Sequence, residues 1–139
     1  MQKFVVPGPP QGKGRARTVS RGGKTHSFTP QRTVQYESLV ALAYRLAYPD
    51  AEPTANPVRL LVEAYMPVPQ SWPKSKQAAA LNGTVLPAVK PDADNVLKCV
   101  LDSINGIAWV DDKQVTDAEI VKRYAAIPRV EVTITEVTP

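Results

Sequence analysis

A single α+β domain, with a mixed or largely antiparallel sheet packed against helices, is the fold this sequence predicts. Three observations carry the expectation. The 139-residue chain is 43% hydrophobic and 22% charged, the size and composition of one globular core. Val58–Met66 and Arg129–Val137 alternate apolar and polar side chains, the mark of half-buried strands. Two other stretches, ending before Pro49 and at Asn105, repeat apolar residues at helical spacing.

The elements follow in order. Lys3–Val6 reads as a short strand halted by Pro7-Gly8-Pro9-Pro10. Residues 11–27 are rich in Gly, Arg, Lys and Ser and lack apolar periodicity, which predicts a mobile surface loop. Thr29-Pro30 offers an N-cap followed by proline at the first helical position. The helix then carries Tyr36, Leu39, Val40, Ala43, Leu46 and Ala47 at helical spacing, and Pro49 stops it. In Val58–Met66 the residues Val58, Leu60, Val62, Ala64 and Met66 face one way, while Arg59, Glu63 and Tyr65 face the other. Pro67, Pro69 and Pro73 interrupt the chain, and a short helix over Lys74–Leu81 closes at Asn82-Gly83. A further helix runs from about Asp94 to Asn105, with Val96, Leu97, Val100, Leu101 and Ile104 as its buried stripe and Asn105-Gly106 as its end. Val115–Tyr124 and Arg129–Val137 form two closing strands. The sequence contains neither an internal repeat nor a domain boundary, so residues 1–139 are read as one domain.

Charge is unevenly distributed. Lys3, Lys13, Arg15, Arg17, Arg21, Lys24 and Arg32 fall within residues 1–36, where there is no acid. Seven of the 13 acids lie between Asp92 and Glu119. A basic arm beside an acidic centre fits a protein that grips a polyanion. Lys13, Arg15, Arg17, Arg21 and Lys24 are the expected phosphate contacts, with Lys74 and Lys76 as a further gripping surface. No apolar run approaches the ~20 residues of a membrane span, and MQKFVVPGPP lacks the apolar region of a signal peptide. Cys99 is the single cysteine, which fits a reducing compartment; the cytoplasm is expected, with no membrane partner. In the apolar surroundings of its helix Cys99 reads as a small hydrophobe.

The densest chemistry lies in Lys90-Pro91-Asp92-Ala93-Asp94-Asn95-Val96-Leu97-Lys98, followed by Trp109-Val110-Asp111-Asp112. Asp92 and Asp94 sit where a helix begins, and its dipole favours negative charge there. Asp94, Lys98 and Asp102 are spaced four apart and share a face. Carboxylates gathered in this way are commonly held by a hard divalent cation, which takes oxygen ligands together with substrate phosphates. Each feature also has a plainer reading: a helix cap, a surface ion pair, an acidic turn. A lone His26 gives no zinc site, and no Walker-type phosphate loop is present.

These residues resemble the RusA family of Holliday-junction resolvases, small dimeric endonucleases of bacteria and their phages. The likeness is most specific in Asp92-x-Asp94-Asn95-x-x-Lys98, in Leu101-Asp102, in Trp109-x-Asp111-Asp112-x-Gln114-Val115 and in Glu131-Val-Thr-Ile-Thr-Glu136. The Gln70–Val89 stretch is longer than the shortest members of the family need. The resemblance implies Mg²⁺, for which Mn²⁺ can substitute, held by Asp92, Asp94 and Asp112, with Lys98 essential for cleavage. It implies a homodimer that resolves four-way DNA junctions by paired symmetric nicks. Two other readings remain: a non-catalytic junction- or DNA-binding protein, and a metal-dependent phosphatase or transferase using an Asp-x-Asp pair.

Overall fold

The structure is a computed structural model that describes residues 1–14, 17–28 and 30–138, the side chains of Arg17 and Phe28 excepted. In chain order its elements are β1 (Gln2–Pro7), β2 (Arg17–Arg21), β3 (Lys24–Phe28), α1 (Gln31–Ala47), β4 (Val58–Pro67), α2 (Lys74–Leu81), α3 (Ala93–Ile104), β5 (Val115–Ala125) and β6 (Arg129–Glu136). A 3-10 turn, Asp112–Gln114, leads into β5. The main sheet has the order β1-β6-β4-β5 and is mixed, as the α+β expectation allowed. β6 runs antiparallel to both neighbours, and β4 runs parallel to β5. Parallel neighbours need a long crossover, and here α2 and α3 lie within it.

The alternation read along β4 holds: Val58, Leu60, Val62, Ala64 and Met66 are buried. The first four join Phe4, Val6, Val130, Val132 and Ile134 in a core covered by α1 and α3. The other sheet face is polar. There Lys3 and Arg129 pair with Glu131, and the Arg129 guanidinium lies 4.1 Å from the Tyr65 ring centre. A smaller cluster of Met66, Val68, Ala80 and Tyr124 seats α2 against the end of β4, with Trp72 packed edge-on to Tyr124.

Several local expectations change. The loop expected over residues 11–27 contains a β-hairpin, with Arg21 opposite Lys24. Gly22 and Gly23 form its two-residue turn at φ +55° and +78°, the left-handed geometry that a tight right-twisting hairpin requires. Thr29, the expected cap of α1, lies outside the described residues. Pro30 itself stands at the N-cap position and supplies no side-chain hydrogen bond. The buried face of α1 is Thr33, Tyr36, Val40 and Tyr44, whereas Leu46 and Ala47 point to solvent. In α3 the buried stripe is Val96, Cys99, Val100, Ser103 and Ile104, with Leu97 and Leu101 at its margin. The stripe turns toward Cys99 and Ser103 because α3 packs against α1 as well as the sheet. α2 and the outer bounds of β4 and β6 follow the sequence reading closely.

Candidate active site

α3 forms where it does because the chain before it is stiffened by Pro87 and Pro91, and because Val96, Val100 and Ile104 require one buried face. Asp92 is the N-cap residue in extended conformation, and Asp94 lies in the first turn. Neither uses its side chain to cap the helix; both are solvent-facing and, among the described residues, neither is in an ion pair. The Asp-x-Asp pair therefore opens a helix. Lys98 stands one turn along with its side chain 63% exposed, and its only ion-pair partner among the described residues is Asp102, at 3.8 Å.

The second acidic pair is built differently. Asp111 caps the 3-10 turn: its side chain accepts from the Lys113 backbone N–H, and its own N–H donates to Gln114 Oε1 at 2.8 Å. Gln114 is fixed in turn by donating to the carbonyls of Thr54 and Asn56. Asp112 accepts a 2.8 Å hydrogen bond from Nε1 of the fully buried Trp109. The two neighbours thus sit in a turn in which one caps and the other is held by an indole.

The structure keeps Asp112 apart from Asp92 and Asp94. Pro91 borders the same groove as Met66 and Pro67, at the end of β4, whereas Ala108, Val110 and Gln114 are hydrogen-bonded to Thr54, which precedes β4. The two acidic groups thus flank opposite ends of α3, whose twelve residues span roughly 18 Å. Among the described residues no three His, Cys, Asp or Glu side chains come close enough to hold a metal ion. The donor chemistry of Asp92 and Asp94 nevertheless suits a hard cation, which accepts one or two carboxylates and completes its shell with water and phosphate. The fit belongs to that pair; one chain alone does not add Asp112 to it.

Among the expected DNA contacts, Arg21, Lys24, Lys74 and Lys76 are exposed. Lys76 stands 4.0 Å from the Trp72 ring centre, a cation–π contact. Arg15 and the side chain of Arg17 lie outside the described residues. The Lys13 ammonium contacts Glu37 at 3.0 Å and Asp102 at 3.2 Å. The reading that the arm has no acid to pair with therefore fails at this residue. Nothing in the spacing of Lys13, Glu37 and Asp102 marks them as neighbours, since only the packing of α1 on α3 brings them together. Cys99 is fully buried, which pushes its thiol up to about 11 and leaves it unreactive.

The family described as endodeoxyribonuclease RusA matches residues 7–135 of this chain. The chain is also 39% identical over 138 residues to the uncharacterized protein YqaN of Bacillus subtilis (strain 168), covering 98% of this chain and 96% of that protein. Among the described residues, no helix is long and apolar enough to cross a membrane.

Proposed function

The chain belongs to the RusA family of endodeoxyribonucleases, and from that premise we propose that it is a Mg²⁺-dependent enzyme resolving four-way DNA junctions by paired symmetric nicks. The observation that carries the reading is the solvent-facing Asp92–Asp94 pair at the start of α3, with an exposed Lys98 one turn on. Such a helix start attracts phosphate through its free N–H groups, and the two carboxylates give a cation a place to meet that phosphate. Bound there, Mg²⁺ would supply Lewis acidity and a water of lowered pKa. Lys98 donates to a non-bridging phosphate oxygen and offsets charge that develops during cleavage. The basic hairpin, with Arg21 and Lys24, and α2, with Lys74 and Lys76, hold the DNA backbone around this point.

Asp112 joins the same chemistry through a second copy of the chain. A two-fold axis across the middle of α3 sets two such helices antiparallel, the start of one beside the end of the other. Each Asp92–Asp94 pair then meets Asp112 of the partner subunit, and symmetry yields two equivalent sites, as paired nicks require.

Mixing two inactive variants tests both statements. Asp94→Asn and Asp112→Asn, each alone, bind junctions in Mg²⁺-free gel shifts without cutting them. Unfolded and refolded together, they form heterodimers in which one composite site is intact, and nicking of a single strand returns. A mixture that stays inert while the wild-type protein cuts junctions overturns the shared site. Wild-type protein that cuts linear duplex as readily as junctions, or cuts neither, overturns the junction-selective reading.

A further inference from the structure

Residues 11–14 form a strap that joins β1 to the hairpin and is pressed between the two helices beside the acidic pair. The backbone N–H of Lys13 donates to the Asn95 carbonyl at 3.0 Å, and the N–H of Gly14 donates to Thr33 Oγ1 at 3.0 Å. A Cβ on Gly12 would stand 3.0 Å from that of Asn95, so a side chain there would crowd α3 and push the strap outward by a few tenths of an ångström. From this seat Lys13 reaches Glu37 on α1 and Asp102 on α3. Its side chain is only 20% exposed. Burial by itself would lower the lysine pKa; the hydrogen bonds to Glu37 and Asp102 outweigh it and the net shift is upward.

Lys13 and Lys98 approach the same oxygen, Oδ2 of Asp102, at 3.2 and 3.8 Å. The nearer ammonium is the more buried one, in a setting where a charge pair is less screened. The farther one is Lys98, the residue at the proposed cleavage site. An i,i+4 neighbour such as Asp102 would otherwise draw Lys98 along the helix, away from the Asp94 end.

We propose that Lys13 is a positioning residue: by holding the Asp102 carboxylate more closely it keeps the Lys98–Asp102 pair loose and lets the Lys98 ammonium turn to the DNA phosphate. The role rests on the cleavage function proposed for Lys98, and the strap is thereby more than a tether for the DNA-gripping hairpin. Asp102 serves as the shared anchor and Glu37 completes the neutralisation of Lys13.

Three variants of the full-length chain test this: Lys13→Met, Asp102→Asn and the two combined. Single-turnover junction cleavage in Lys13→Met falls about two- to fivefold, the size of a surface ion pair drawn tight at Lys98. It returns to the wild-type rate in the double variant, because Lys98 then has no carboxylate to follow. A purely structural role predicts instead that the second change leaves the rate low or lowers it further. The salt dependence of junction binding stays unchanged in Lys13→Met; a slope lowered by about one unit would make Lys13 a phosphate contact and overturn the proposal. A readout without DNA or metal separates this idea from the nuclease reading itself. In ¹⁵N NMR, solvent exchange of the Lys98 ammonium protons slows in Lys13→Met and recovers in the double variant. Exchange that does not respond to Lys13 overturns the proposal whatever the enzyme cuts.

Discussion

Asp111 and Asp112 adjoin in sequence and differ in what they touch. Asp111 exchanges hydrogen bonds with the backbone and with Gln114 inside a capping box, so its carboxylate serves the turn. Asp112 meets only the Trp109 indole among the described residues, which fixes its direction and leaves its second oxygen unclaimed. Asp111→Ala is therefore expected to lower stability by about 1 kcal/mol, the usual cost of a lost cap, and to leave most of the cleavage rate. Asp112→Asn is expected to do the reverse: an amide oxygen still accepts from Trp109, so urea midpoints hardly move while single-turnover cleavage is lost. Denaturation and cleavage measured on both variants check the pair. Equal loss of activity in both would return Asp111 to the site. In the sequence only the family resemblance singled out Asp112; that Asp111 caps the turn depends on Gln114 and Trp109 closing on different neighbours.

Among the elements, the β2–β3 hairpin departs most from the sequence reading. Its strands Arg17–Arg21 and Lys24–Phe28, joined by the two-residue Gly22-Gly23 turn, have no core face to impose alternation, which is why the segment reads as a loop in the sequence. The hairpin forms by pairing with itself and, among the described residues, sits outside the main sheet. At its turn Arg21 and Lys24 face each other across the ladder. Two like charges placed opposite repel, and a phosphate backbone between or beside them relieves that repulsion. Replacing both with glutamine should lower the slope of log K against log salt for junction binding by about two units, near one per lost phosphate contact. Fluorescence anisotropy at several salt concentrations measures it. An unchanged slope would move the grip to Lys74 and Lys76 on α2. By contrast, α2 and α3 were legible almost to the residue: proline before each, Asn-Gly after each, and in α3 a strongly one-sided apolar pattern.

For the whole molecule, one face of the sheet is closed by α1 and α3, and stability depends on that layer. Ile104 is fully buried where α3 ends above the core. Ile104→Ala is expected to cost about 2–5 kcal/mol, seen as a lowered urea midpoint with an unchanged slope. A loss well under that range would mean that the end of α3 collapses readily around the missing atoms. The same layer separates the acidic groups. A crossover between neighbouring parallel strands returns from the end of one strand to the start of the next, so residues before and after α3 are held a helix length apart.

The sequence by itself determined the α+β class, the period-two strands β4 and β6, the bounds of α2, and the RusA family. These are local properties: alternation, helical spacing and breaker residues are written within a few positions of one another. Only the tertiary structure decided that β4 and β5 run parallel, that Lys13 is bound by Glu37 and Asp102, and that Asp112 stands away from Asp92 and Asp94. Each of those depends on which distant segments pack together, and the burial of apolar faces that drives packing is non-directional. It fixes which faces meet without marking, in the sequence, which polar side chains will become neighbours.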